Sequence, residues 1–135
     1  MRDSLPPPQD EHYAARMKGR AGIRRIVQAL GYSWHGVRAA CEEAGFRELL
    51  WINAVLLVLA LWLPFETAVR LVLILVSFLT LVVELINTAV EAAVDHTSQA
   101  EHPLAKRAKD AASAALYLLL AALMVLWLVA LYDVL

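Results

Sequence analysis

Three long runs of apolar residues dominate the chain beyond residue 48. The first extends from about residue 49 to 64, the second from about 67 to 93, and the third from about 111 to 132. A helix needs about 20 mainly apolar residues to cross the hydrocarbon core of a bilayer. The pattern therefore predicts three transmembrane helices. The first run is short and ends at Pro64, so its helix must begin a little earlier, inside the preceding polar segment.

The segment from about 22 to 47 combines apolar residues at helical spacing with several arginines. Tyr32 and Trp34 lie near its middle and suit the level of the lipid headgroups. The pattern predicts an amphipathic interfacial helix, interrupted near Gly31 and Gly36; a soluble helical hairpin is the alternative. Residues 1–20 are polar and proline-rich, and we expect a flexible extension. The predicted fold is all-α, with one interfacial helix and three transmembrane helices in a single membrane domain over residues 21–135.

A polar face interrupts the end of the second apolar run. At about 100° per residue, its members share about 100° of arc on one helix. Charged side chains in a membrane are costly, so a carboxylate there indicates a functional site. A polar seam that binds a partner helix is the simpler alternative. The residues of this face are Glu84, Asn87, Thr88, Glu91 and Asp95.

A hydrophilic segment from about 95 to 110 separates the second and third runs, and Pro103 predicts a helix start within it. Lysine and arginine concentrate here and in the N-terminal segment. The positive-inside rule then predicts a cytoplasmic N-terminus and a periplasmic C-terminus. His96 and His102 lack the spacing of a helical metal pair, and Cys41 is the only cysteine, so neither histidine nor cysteine predicts a metal site.

Composition agrees with a membrane protein, since 61% of the 135 residues are hydrophobic and 19% are charged. The net charge of −1 predicts no nucleic-acid partner, and no glycine-rich phosphate loop is present. Carboxylates beside Arg107 and Lys109 at a cytoplasmic interface suit phosphoryl transfer, which uses Mg²⁺, cations and a base. The acceptor would be a lipid alcohol. A proton or ion pathway, or a structural subunit, remains equally compatible with the residues alone.

Four stretches resemble the prokaryotic diacylglycerol kinase family. They are Gly31-Tyr-Ser-Trp-His-Gly-Val-Arg-Ala-Ala40, Ala44-Gly-Phe-Arg47, Glu84-Leu-Ile-Asn-Thr-Ala-Val-Glu-Ala-Ala-Val-Asp95 and Arg107-Ala-Lys-Asp-Ala-Ala-Ser113. The resemblance covers about residues 22 to 132. It implies a homotrimeric enzyme of the bacterial inner membrane that phosphorylates diacylglycerol with MgATP, with active sites shared between subunits. Undecaprenol, the acceptor of the Gram-positive branch, is the alternative substrate.

The resemblance also implies roles for individual residues. Glu84 would be the general base, and Glu43 and Glu91 would bind Mg²⁺, with Glu42 as the competitor of Glu43. The residues expected around ATP are Arg25, Tyr32, Asn87, Asp95, Glu101, His102, Lys109 and Asp110. Those expected near the lipid, besides Glu84, are Arg25, Trp34, Arg38, Phe46, Arg47 and Ser113.

Overall fold

The computed structural model describes residues 23–97 and 102–134, which form four helices and no strand. The helices are α1 (Ile23–Ala40), α2 (Ala44–Trp62), α3 (Thr67–Thr97) and α4 (Pro103–Tyr132). The all-α prediction is confirmed, and α2, α3 and α4 are each long and apolar enough to cross a membrane. The extension predicted for residues 1–20 lies outside the described residues.

The chain divides into two compact units, residues 1–37 and 38–135. In the first unit, α1 runs without a break through Gly31 and Gly36, so the predicted interruption is wrong. A glycine inside a helix costs only about 0.5–1 kcal/mol relative to alanine, which is too little to end a helix by itself. Apolar side chains of this unit, such as Val27 and Leu30, are exposed.

A short turn separates α1 from α2, so the segment 22–47 is not a single helix. The amide of Glu43 donates to the carbonyl of Ala40 at 3.0 Å, which closes the end of α1. The guanidinium of Arg47 donates to the carbonyls of Cys41 and Glu42, at 3.2 and 2.7 Å. Because α2 already begins at Ala44, it gains the turn that the first apolar run lacked, as the sequence predicted.

The opposite end of α2 is tied to α3 by Arg70. Its guanidinium donates to the carbonyls of Ala60, Leu63 and Phe65, at 3.0, 3.3 and 3.1 Å. The last carbonyls of a helix have no partner within the helix, so Arg70 supplies one. The edge of the Phe65 ring meets the Trp127 ring of α4, with centroids 5.8 Å apart. A buried cluster at this end joins the three long helices: Ala60, Phe65, Leu73, Leu123, Trp127 and Ala130.

At the other end, α3 extends further than the sequence predicted, whereas α4 starts at the predicted proline. α3 continues to Thr97, and α4 begins at Pro103, with His102 as its N-cap. The ring nitrogen Nδ1 of His102 accepts a hydrogen bond from the amide of Leu104 at 3.2 Å. The predicted hydrophilic segment from 95 to 110 is therefore largely helical, because this cap and the proline at the first helical position start α4 early.

Candidate functional site

The polar face of α3 is present and extends further along the helix than the sequence analysis recognised. Ser77 and Thr80 are buried on it in addition to Glu84 and Asn87. Glu91 is half-buried further along the helix. Sequence reasoning missed Ser77 and Thr80 because hydroxyl side chains in an apolar run can satisfy themselves on the preceding turn.

The carboxylate of Glu84 lies against the first turn of α2. A Cβ atom added to Gly45 would lie 3.3 Å from Oε1 of Glu84. The residue is only 8% exposed, and its other oxygen, Oε2, has no hydrogen-bond partner among the described residues. Since α2 has only just begun at Gly45, Glu84 lies at one end of the bundle and not near its middle. α3 continues about 20 Å beyond Glu84.

Asn87 lies one turn beyond Glu84 and leaves a second buried oxygen without a partner. Its Nδ2 donates to Oε1 of Glu91 over 3.4 Å, while its Oδ1 bonds to nothing within the described residues. A buried polar atom without a partner costs about 1–3 kcal/mol, so such atoms usually mark the position of a missing partner. Glu84 Oε2 and Asn87 Oδ1 can accept hydrogen bonds from a hydroxyl or bind a cation.

An ion pair joins the extended ends of α3 and α4. Nζ of Lys109 contacts both carboxylate oxygens of Asp95, at 2.9 and 3.2 Å. Lys106 and Asp110 form a weaker pair along α4, at 3.6 Å. The structure thus brings together Asp95 and Lys109, two of the residues that the family resemblance assigns to ATP. Their side chains are partly exposed, so a phosphate group could reach the ammonium from solvent.

The remaining predicted residues have varied positions. Phe46 is buried in the first turn of α2, whereas the guanidinium of Arg47 is engaged with the α1–α2 turn. Arg25, Tyr32 and Trp34 are exposed residues of the first unit. Glu101 lies outside the described residues. The others are exposed or half-buried in the second unit: Arg38, Glu42, Glu43, Ser113 and, as the N-cap of α4, His102.

The oxygen donors at this end suit Mg²⁺ that arrives with a phosphate ligand, and they do not form a metal site built from protein side chains alone. Across residues 23–97 and 102–134, no three histidine, cysteine or acidic side chains converge on one point. Mg²⁺ usually takes only one or two carboxylates and completes its shell with phosphate and water. Glu43 makes no side-chain capping bond, and among the described residues Glu91 is held only by the long bond from Asn87, so both carboxylates have lone pairs left for a cation.

Together these features define a small helical membrane protein with a carboxylate site at one end of its bundle. The family model for prokaryotic diacylglycerol kinase matches residues 31–131, and the chain belongs to this family. The family resemblance noted in the sequence is therefore confirmed.

Curated relatives named diacylglycerol kinase cover most of the chain. The protein from Pseudomonas aeruginosa is 45% identical over 111 residues, which span 82% of this chain and 90% of the relative. The protein from Escherichia coli K12 is 38% identical over 113 residues, or 83% and 93% of the two chains. The protein from Helicobacter pylori strain 26695 is 46% identical over 95 residues, or 70% and 74%.

Proposed function

We propose that this protein transfers the γ-phosphoryl group of ATP to the free hydroxyl of diacylglycerol, forming phosphatidic acid and ADP. The observation that carries the proposal is the buried Glu84 carboxylate at one end of a membrane helix bundle, whose Oε2 has no hydrogen-bond partner within residues 23–97 and 102–134. Membership of the diacylglycerol kinase family supports the same reaction. At this level of the bundle, a lipid headgroup can approach from the bilayer and a nucleotide from water.

Glu84 acts as the general base in this proposal. Its Oε2 accepts the proton of the acceptor hydroxyl while the hydroxyl oxygen forms a bond to the γ-phosphorus and the bond to the ADP oxygen breaks. A positioned base contributes about 10²–10⁴-fold to the rate. The free Oε2 supports this role, because an oxygen already holding a strong hydrogen bond would be a poorer proton acceptor.

Glu43 and Glu91 would hold the Mg²⁺ ion, which would neutralise negative charge on the phosphates. Asn87 supports this by holding the Glu91 carboxylate through its amide nitrogen. Lys109 would contact the phosphates. The other residues proposed around ATP are Arg25, Tyr32, Asp95, Glu101, His102 and Asp110. Those proposed near the lipid are Arg25, Trp34, Arg38, Phe46, Arg47 and Ser113.

The defining experiment measures ATP-dependent phosphate transfer by the purified protein in mixed micelles. Diacylglycerol and undecaprenol are offered separately as acceptors, each with and without Mg²⁺. We expect phosphatidic acid to form with diacylglycerol and Mg²⁺, and much slower transfer to undecaprenol. Faster transfer to undecaprenol would replace the proposed acceptor. Absence of transfer to either lipid from a folded, detergent-soluble protein would contradict the kinase assignment.

We also propose a homotrimer whose sites lie between subunits. Large apolar side chains such as Leu118 and Leu128 are exposed along α4, and one bundle of three helices encloses little space for both ATP and a lipid. Subunits impaired by Glu84→Gln or by Lys109→Ala, assayed at an ATP concentration well below the raised KM, should regain activity when mixed if one site draws these residues from different chains. Inactivity of mixed oligomers with verified composition would contradict that division.

The proposed location is the bacterial inner membrane, with Lys106, Arg107 and Lys109 on the cytoplasmic side and the α2–α3 turn in the periplasm. The positive-inside rule supports this orientation. Single cysteines at positions 66 and 102, in a Cys41→Ala background, test it with a membrane-impermeant reagent. Intact cells should label position 66 alone. Labelling of position 102 from outside would reverse the topology.

A further inference from the structure

A polar pair joins α2 and α3 inside the apolar part of the bundle. Asn53 and Thr80 are 5% and 0% exposed, and Nδ2 of Asn53 lies 3.1 Å from Oγ1 of Thr80. The same Nδ2 donates to the carbonyl of Leu49 at 2.9 Å. The Thr80 hydroxyl donates to the carbonyl of Ser77 at 2.7 Å. Each helix thus orients one polar side chain against its own backbone and presents it to the other helix.

The apolar surroundings make the geometry of this hydrogen bond important for the relative position of the two helices. An open apolar groove of about 180 Å³ adjoins the pair, lined by Leu50, Ala54, Leu57, Phe78 and Leu81 together with Asn53 and Ser77. In hydrocarbon, a polar group without a partner costs several kcal/mol, because no water replaces the lost bond. Apolar contacts between long helices tolerate small shifts, since the hydrophobic effect is not directional. The Asn53–Thr80 bond tolerates far less displacement, so it favours one register of α2 on α3.

The pair lies close to the proposed base along both helices. Thr80 precedes Glu84 by one turn of α3, and Gly45 precedes Asn53 on α2 by a rise of about 12 Å. Any sliding of α2 along α3 would move Gly45 past the Glu84 carboxylate, because a helix transmits axial displacement along its length. The register at Asn53 and Thr80 therefore determines which backbone atoms of α2 stand beside Glu84.

We propose that Asn53 and Thr80 are positioning residues that fix the register of α2 against α3 and so hold the first turn of α2 beside Glu84. The kinetic consequence rests on the proposed kinase function; the structural consequence does not. Neither residue touches a substrate in this proposal. A single polar contact that specifies one arrangement among similar apolar alternatives is well attested in helical assemblies.

The test compares three variants with the wild-type protein in one micelle composition. Thr80→Ser keeps the hydroxyl and is the matched control. Asn53→Leu removes one partner, so the Thr80 hydroxyl keeps its bond to the Ser77 carbonyl but loses the donor to its oxygen. We therefore expect some loss of stability together with loss of the fixed register. The Asn53→Leu, Thr80→Val double variant removes both polar groups, which can be nearly neutral for stability. The double variant therefore distinguishes a loss of the fixed helix register from a loss of stability, because it removes only the directional contact between the helices.

Two readouts are measured for each variant: kcat and KM for MgATP with diacylglycerol, and hydrogen exchange of the amides of residues 47–50, which are the first in α2 to have carbonyl acceptors within the helix. We expect the double variant to remain folded, to exchange faster at these amides and to lose at least about tenfold in kcat, since a misplacement of about 1 Å can cost about 10²-fold. KM for MgATP should change little, and Thr80→Ser should behave as wild type.

A double variant with wild-type kcat and unchanged exchange would overturn the proposal and leave the pair as ordinary interhelical contact. Faster exchange at residues 47–50 with wild-type kcat would overturn the kinetic part. Failure of the wild-type protein to phosphorylate diacylglycerol would refute the proposed function instead. The exchange comparison would then still decide whether the pair fixes the register.

Discussion

Gly45 at the start of α2 and Glu84 on α3 meet so closely that a Cβ atom on Gly45 would lie 3.3 Å from a Glu84 carboxylate oxygen. This contact places the only buried carboxylate of the described residues at the level where α2 begins. One side of Glu84 is therefore bounded by backbone. The unpartnered Oε2 remains available to a ligand, which connects the packing of two helices to the proposed chemistry.

The first prediction concerns the space beside this carboxylate. Gly45→Ala should retain most activity, because a flexible carboxylate can move by a few tenths of an ångström and alanine favours the helix by about 0.5–1 kcal/mol. Gly45→Val should reduce kcat by at least about tenfold, since its extra methyl groups would displace the reacting oxygen. Turnover and thermal stability of both variants provide the check. Equal activity of Gly45→Val and wild type would show that this contact does not constrain Glu84.

The sequence predicted the elements well because their signals are local. Pro64 and Pro103 mark a helix end and a helix start, and the apolar runs mark the spans. It did not predict Gly45 or the partner of Asn53, because a lone glycine or amide in a helix carries no information about the residue opposite it. The register of two helices depends on packing between distant segments, which no local pattern encodes.

The predicted break at Gly31 and the predicted end of α3 near residue 93 are wrong for a related reason. Isolated glycines and charged residues resemble loop signals in a sequence, although each lowers helix stability only slightly. The polar face from Glu84 to Asp95 was predictable because helical periodicity alone brings its members together. The ion pair between Asp95 and Lys109 is not predictable in this way, because Lys109 lies on the neighbouring helix α4.

The second prediction concerns the acidic residues proposed to bind Mg²⁺. Glu91→Gln and Glu43→Gln should each raise the Mg²⁺ concentration needed for half-maximal activity, because an amide is a poorer ligand than a carboxylate for this ion. Glu42→Gln is the matched control, since Glu42 is equally exposed in the same turn. Titration of activity with Mg²⁺ at fixed ATP gives the result. A raised Mg²⁺ requirement in Glu42→Gln, with an unchanged requirement in Glu43→Gln, would transfer the metal-binding role to Glu42.

The third prediction concerns Lys109, whose ammonium holds both oxygens of Asp95. Lys109→Ala should raise KM for ATP by about tenfold or more, because a charged hydrogen bond to phosphate would be lost. Thermal stability should hardly change, since exposed ion pairs contribute little. Lys106→Ala, which removes only an exposed pair within α4, is the control and should change neither quantity much. A large loss of stability with unchanged KM would make Lys109 a structural residue.

The last prediction concerns Glu84 itself. Glu84→Gln should reduce turnover by about 10²–10⁴-fold, because the amide keeps the shape of the side chain but cannot accept the hydroxyl proton. The amide should also leave ATP binding and oligomer size nearly unchanged, since Lys109 and Asp95 lie further along the extended ends of α3 and α4. Glu84→Asp should recover little activity, because the carboxylate would be withdrawn by about one methylene from its place beside Gly45 and geometry limits a base before its acidity does.

Turnover and ATP binding measured on the same Glu84→Gln preparation decide the role. Near-normal turnover would remove Glu84 as the base and direct attention to Glu91, the next carboxylate along the helix face. Loss of folding together with loss of binding would make Glu84 a structural residue, although its free Oε2 argues against that outcome, because a structural carboxylate would be expected to have hydrogen-bond partners within the fold. Intact binding with turnover lowered into the stated range is the result that the buried, unpartnered carboxylate predicts.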